Sequence, residues 1–316
     1  MDEFTSWTRR KFIRGSLSLA ALTSMPGWLK AFENETGHKT LTILHTNDWH
    51  SRIDPFPDND PKYPGQGGAA RRAALISKIR EEQSNVLLLD AGDIFQGTPY
   101  FNFYGGEPEF KLMSAMGYEA ATLGNHDFDN GIDGLVNKMP FANFPFVNCN
   151  YGVKDTALEG KLKKSIILKK NGLKIGILGV GIDLTGLVPT ANWKGIQYNN
   201  PIIAADNESR YLKLDQHCDM VICLSHLGYQ YDTYKPSDLM LASNTKHIDI
   251  ILGGHTHTFL EKPVTVMNAI GNNVTINQVG WAGLRLGRLD YLFSSINNKK
   301  NQAFSQIEFF KKSIAI

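Results

Sequence analysis

Short, mostly apolar runs recur along this chain at residues 41–44, 86–89, 120–123, 220–224 and 248–252. Runs of that length read as buried strands. Five short polar blocks accompany them: Asp48-Trp49-His50, Gly92-Asp93, Gly124-Asn125-His126-Asp127, Ser225-His226 and Gly253-Gly254-His255-Thr256-His257. Four of the five sit just after an apolar run. Carboxylate oxygen, imidazole nitrogen and amide oxygen thus gather at strand ends, where an open α/β sheet places its active site. These are donors for divalent cations, and two cations about 3.5–4 Å apart can clamp a phosphate.

Between the runs lie stretches with helical spacing. Helices are expected over 69–80, 107–116, 131–139 and 202–214, and strands over 39–46, 86–89, 120–123, 174–179, 220–224 and 248–252. Alternating strands follow at 274–279, 287–292 and 303–310. Alternation of strand and helix predicts an α/β fold, and the strand-rich C-terminal third predicts a second sheet packed on the first. The segment 95–104 reads as an aromatic-rich loop (Phe95, Tyr100, Phe101, Phe103, Tyr104), either core packing or a specificity wall beside the site. No repeat or linker divides residues 38–316, which read as one domain.

The first residues differ in character. Arg9-Arg10-Lys11 precedes a weakly apolar run ending near Met25, too short to span a bilayer, which takes about 20 residues. Residues 1–37 therefore read as a twin-arginine-type signal segment, implying the twin-arginine export machinery as a partner. The destination is periplasmic, with a membrane tether if the signal is not cleaved. That segment also explains the net charge of +2. Setting aside four basic and two acidic residues in positions 1–14 leaves 29 of each from totals of 33 and 31. A neutral body argues against gripping nucleic acid by bulk charge. Cys149, Cys218 and Cys223 are an odd set with apolar neighbours, and they read as buried thiols rather than a disulfide framework.

Within the blocks, Asp48/His50 and His255/His257 are i, i+2 pairs. On an extended strand end both members face one way and reach one ion. Gly92 permits the sharp turn that projects Asp93, whose two oxygens can bridge two cations. Asn125 offers an amide oxygen, and His226 ends a buried strand. His38, His45, His217 and His247 lie outside the blocks and read as core or surface residues.

The run Leu44-His45-Thr46-Asn47-Asp48-Trp49-His50, the stretch from Gly124 to Asp129 and Gly253–His257 resemble those of the calcineurin-like metallophosphoesterases, in particular the 5′-nucleotidase branch. So do Gly92-Asp93-Ile94-Phe95-Gln96-Gly97-Thr98-Pro99, Gly67-Gly68-Ala69-Ala70-Arg71-Arg72 and Gln278-Val279-Gly280-Trp281-Ala282-Gly283. The resemblance implies a four-layer α/β/β/α sandwich of two packed mixed sheets. It implies that Asp48, His50 and His257 bind one metal, that Asn125, His226 and His255 bind another, and that Asp93 bridges them. His126, oriented by Asp129, would protonate or stabilise the leaving oxygen. The cofactors implied are two divalent ions, Mn, Zn, Fe or Co. The reaction implied is hydrolysis of a phosphate ester, a nucleotide in that branch, by hydroxide held between the metals.

Full 5′-nucleotidases carry a second, C-terminal domain that reads the nucleoside, whereas the resemblance, over about residues 40–295 and so nearly the whole mature chain, is to the catalytic domain. A two-chain nucleotidase, with recognition supplied by a separate chain, is therefore a competing reading. Cyclic-nucleotide phosphodiesterase, nucleotide-sugar or dinucleotide pyrophosphatase and thiosulfohydrolase share the metal frame. A metal-dependent binding protein without turnover is the reading from a different class.

Overall fold

The computed structural model describes residues 39–293 and 300–308, so the expected leader lies outside the described residues. In chain order the strands are β1 (Lys39–Thr46), β2 (Val86–Asp90), β3 (Ala120–Ala121), β4 (Phe146–Val147), β5 (Tyr151–Gly152), β6 (Leu162–Lys163), β7 (Ser165–Lys170), β8 (Leu173–Gly181), β9 (Gln197–Tyr198), β10 (Met220–His226), β11 (Ile250–Gly253), β12 (Val264–Met267), β13 (Asn273–Asn277), β14 (Arg285–Phe293) and β15 (Lys300–Glu308). The helices are α1 (Ala69–Glu82), α2 (Pro99–Tyr104), α3 (Glu107–Met116), α4 (Gly131–Lys138), α5 (Pro201–Arg210) and α6 (Asp238–Asn244).

Two mixed sheets carry the fold. The first runs β15-β14-β1-β2-β3-β4-β6, and the second runs β12-β13-β11-β10-β8-β7. In the first, β1, β2, β3, β4 and β6 are parallel, while β14 lies antiparallel to β1. In the second, β8, β10, β11 and β13 are parallel, with β7 and β12 antiparallel at the edges.

The two-residue period of a strand sorts these runs into separate cores. Leu41 and Ile43 of β1 and Leu87 and Leu89 of β2 meet Ile175 and Ile177 of β8 and Ile222 and Leu224 of β10 between the sheets. Their neighbours Leu44 and Leu88 point the other way, into a core with Ile76 and Ile79 of α1 and Phe110 and Met113 of α3. On the far side, Val221, Cys223 and Ile251 pack with Ala205 of α5 and Leu241 of α6. Helices, sheet, sheet, helices: these are the four layers expected. Strands buried on both faces explain why the runs read as continuously apolar.

The last four described strands divide between the sheets: β12 and β13 join the second, whereas β14 and β15 extend the first beside β1. Period-2 patterning marks a strand but not its partner. The helix expected over 202–214 ends as an α-helix at Arg210 and continues through a π turn, Tyr211–Asp215. The aromatic loop contains α2, which splits the segment. Phe95 and Phe101 are buried, and Phe103 is 81% exposed. The three cysteines are free thiols, with Cys218 and Cys223 buried. His45 is wholly buried, His217 is exposed and His247 is half-buried.

Candidate metal centre

The parallel strands of both sheets end along one edge, and the five blocks lie there. Asp48 and His50 follow β1, Asp93 follows β2, Asn125 follows β3, His226 closes β10, and His255 and His257 follow β11. The loops continue the strand pairing past the strands: Asp48 N–H donates to Gly92 O at 2.9 Å, His50 N–H to Asp93 O at 3.0 Å, and Ser51 N–H to Ile94 O at 2.9 Å. Gly92 (φ 88°) and Gly124 face each other at this crossing. A Cβ on Gly92 would lie 2.5 Å from Gly124 N, and one on Gly124 would strike the Asp93 carboxylate.

The i, i+2 pairs converge, though not by strand pleat. Asp48 (φ 51°), His50 (52°), Asp93 (55°), His255 (72°) and His257 (51°) are all left-handed. Non-glycine residues rarely adopt that conformation, and it costs of order 1–3 kcal/mol each where the surroundings enforce it. Each pair is aimed by tight turns beyond its strand, which hydropathy patterning does not encode.

Two groups of donors result: Asp48, His50 and His257, and Asp93, His226 and His255, with the donor atoms in each within 4.8 Å of one another. Asn125 joins the second, its Oδ1 2.8 Å from His255 Nδ1. Asp93 faces both, with Oδ2 3.1 Å from His226 Nε2 and 3.9 Å from His50 Nε2. His257 Nε2 lies 3.0 Å from His50 Nε2 and 3.4 Å from Asp48 Oδ1. The depth is graded. Asp48 and His226 have no exposed side chain, whereas His257 is 40% exposed, His126 33% and Asp129 24%. The latter three form the mouth.

Hydrogen bonding indicates what these atoms await. His226 Nδ1 donates to Ala91 O at 2.7 Å, so its lone pair sits on Nε2. That buried Nε2 has no hydrogen-bond partner and faces a carboxylate oxygen. Two acceptors held together need a proton or a cation between them. Without a cation the proton stays. Burial disfavours the imidazolium, but Asp93 and Asp48 lift the His226 pKa to about 10. In turn, burial of Asp93 opposes its ionisation, yet His226 holds the carboxyl well below the usual range. His255 is pushed down to about 4 by burial and by His226. Buried imidazoles and carboxylates in two convergent sets fit a pair of divalent ions.

His126 stands over this floor, its ring 5.3 Å from that of His50. Its Nδ1 lies 2.9 Å from Asp129 Oδ2, and that hydrogen bond raises the imidazole above its ordinary pKa. Nε2 is thereby left for a reacting group.

Three supporting residues had no assigned role in the sequence reading. Asp127 accepts backbone N–H groups from Asp93, Ile94, Phe95 and Gly124, tying the second and third blocks together. Gln278 donates to Gly254 O and accepts from Thr256 Oγ1 and Thr258 N, enclosing the loop that bears His255 and His257. Asn47 donates to Asp48 Oδ2 at 2.7 Å and to Gly280 O. All three stand inside or beside quoted motifs, so proximity to a block was the available signal.

With this geometry in view, comparison with known proteins becomes specific. Residues 41–259 match the calcineurin-like phosphoesterase family. The chain belongs to that family. It is 33% identical over 284 residues to a snake venom 5′-nucleotidase of Crotalus adamanteus, covering 83% of this chain and 47% of that protein. It is 31% identical over 285 residues to the trifunctional nucleotide phosphoesterase YfkN of Bacillus subtilis, covering 80% of this chain and 18% of that protein. The crystal structure of a 5′-nucleotidase precursor from Thermus thermophilus superposes with a TM-score of 0.77 at 30% identity, over 86% of this chain and 55% of that one. The chain thus spans about half the length of the 5′-nucleotidases it matches.

Proposed function

We propose that this phosphoesterase hydrolyses phosphate monoesters of nucleotides at a dinuclear metal centre. Asp93 of one donor set also faces His50 of the other, with the His126–Asp129 pair at the open side, and this arrangement carries the reading. Asp48, His50 and His257 would hold one ion; Asn125, His226 and His255 would hold the other. The donor set suits Mn, Zn, Fe or Co. When bound, such a pair neutralises phosphoryl charge and supplies hydroxide at neutral pH. The protein does the rest. Asp127 and Gln278 fix the ligand loops, and Asp129 holds His126 with its proton-bearing Nε2 toward the leaving oxygen, the position of a general acid.

The test is elemental analysis of purified protein, then a panel of nucleoside monophosphates, p-nitrophenyl phosphate and its bis ester with Mn²⁺. Monoester turnover that fails in EDTA and returns with metal is expected. Metal uptake without turnover of any ester would reduce the chain to a binding protein. A second reading, activity on diesters as well, draws on the likeness to the Bacillus subtilis protein named a trifunctional nucleotide phosphoesterase; the bis ester separates the two. Efficient AMP hydrolysis by this chain alone, with a low-micromolar KM, would argue against a separate recognition chain.

Residues 1–37 fit a twin-arginine leader on a catalytic body of 38–316. Among the described residues no helix is long and apolar enough to cross a membrane. Replacing Arg9 and Arg10 with Lys should leave the enzyme in the cytoplasm; export of that variant would remove the assignment.

A further inference from the structure

Of the five imidazoles at the centre, three have Nδ1 held by a group outside the donor sets: Ala91 O serves His226 at 2.7 Å, Phe95 O serves His50 at 3.4 Å, and Asp129 serves His126 at 2.9 Å. His255 Nδ1 faces the donor Asn125 Oδ1 at 2.8 Å. A ligating imidazole almost always has its second nitrogen held, which fixes ring orientation and raises ligand basicity. His257 differs: among the described residues Nε2 makes its polar contacts, toward His50 and Asp48. It is also the most exposed of the ligand-type imidazoles.

Trp281 lies against it. The indole and the His257 ring are 6° from parallel with centroids 5.5 Å apart. The indole is itself braced edge-on by Phe56 (5.8 Å) and Tyr63 (6.4 Å). The backbone on both sides of Trp281 is tied to the ligand loops. Gly280 N–H donates to Thr258 O at 3.0 Å, and Ala282 N–H donates to Asp48 O at 2.7 Å. Asn47 joins the Asp48 carboxylate to Gly280 O. The indole is therefore fixed in the frame of the first donor set.

We propose that Trp281 is a positioning residue for the metal centre: its stacked indole orients the His257 ring. The inference rests on the dinuclear reading above. It assigns the stack to one of the two ions, the one held by Asp48, His50 and His257. An indole against the rim imidazole restricts its ring plane, so that ion gains most of the benefit.

Titrating metal-free protein with Mn²⁺ by calorimetry tests this, with Trp281→Leu and Trp281→Phe beside the unaltered chain. Trp281→Leu should weaken one binding event about 10–100-fold, the scale for lost orienting contacts, and leave the other unchanged. Trp281→Phe keeps a flat ring and should restore most of the affinity. Two binding events at unaltered affinity in Trp281→Leu would overturn the proposal. So would weakening of both together with a lower Tm of the metal-free protein, the mark of a purely structural role. Should Trp281→Leu not fold, fluorescence decides. Of five tryptophans in the chain, Trp281 and Trp49 (between Asp48 and His50) lie at the centre, so Trp281→Phe should diminish the Mn²⁺-dependent change in emission. An undiminished change in that variant refutes the stack. If the unaltered protein takes up no metal, the dinuclear reading itself has failed, which is a separate result.

Discussion

Asp127→Asn isolates the scaffold from the chemistry. The Asp127 side chain is 1% exposed. Oδ1 accepts from Ile94 N (3.0 Å) and Phe95 N (3.1 Å), and Oδ2 accepts from Gly124 N (2.8 Å) and Asp93 N (3.1 Å). An asparagine fills the same volume but has one oxygen and one NH₂ group. Whichever way it sits, two backbone donors then face a donor. Each buried donor left unpaired costs about 1–3 kcal/mol, so the pair costs roughly 2–6 kcal/mol. At about 4 kcal/mol, and about 2–4 °C per kcal/mol for a domain of this size, Tm falls by roughly 8–16 °C. Measured in EDTA by calorimetric melting, the loss cannot come from metal linkage. Metal affinity should fall too, because Asp93 and Asn125 ride on the loops that Asp127 joins. A metal-free Tm within about 2 °C of the unaltered protein, far short of that fall, would refute the reasoning.

Asp93→Ala should abolish turnover and metal retention together, whereas His126→Ala should slow kcat by about 10²–10⁴-fold with metal content unchanged by elemental analysis. Loss of metal in His126→Ala would remove its role as the acid. His45 supplies a pH test, since burial lowers its pKa to about 3 while Asn277 Nδ2 donates to its Nε2 at 2.8 Å. The unfolded chain takes up a proton below its pKa of about 6.5 and the folded chain does not. This contribution is therefore complete above pH 6.5 and is lost as pH falls toward 3. At pH 5 the loss amounts to about 2 kcal/mol, read as the extra stability lost by metal-free protein relative to His45→Gln between pH 7.5 and 5 in urea melts. Equal losses in the two proteins would show that His45 is not held neutral.

Much of the fold was legible because strands buried on both faces read as apolar runs whatever their order. The first strand and the helix Glu107–Met116 fall on the expected residues. Strand partners were not legible: β14 returns to pair with β1 across more than two hundred residues, and no local pattern records that. At the site, which blocks converge was legible and their backbone conformation was not. The Asp48/His50 and His255/His257 pairs converge as expected, but through left-handed turns rather than pleated strand ends. Asp127 and Gln278 stood in the motifs without a role because a residue that braces neighbouring loops has no spacing signature of its own.

Left-handed backbone at Asp48, His50, Asp93, His255 and His257 has a further consequence. At about 1–3 kcal/mol each, the strain sums to about 5–15 kcal/mol, the size of a whole domain's stability. It persists only because the loops are over-determined: Asp48 to Gly92, His50 to Asp93, Ala282 to Asp48, and four donors on Asp127. Every one of those bonds lies within the polypeptide. The donor sets are therefore assembled by the fold, and cations add stability rather than create structure, unlike small zinc domains that unfold without metal. EDTA should leave near-UV circular dichroism intact and a cooperative melt in place. At about 100 times Kd each ion adds about 2.7 kcal/mol, so two add about 5 kcal/mol. A metal-free protein that lost its near-UV signal would show that the cations, not the backbone clamps, hold these turns.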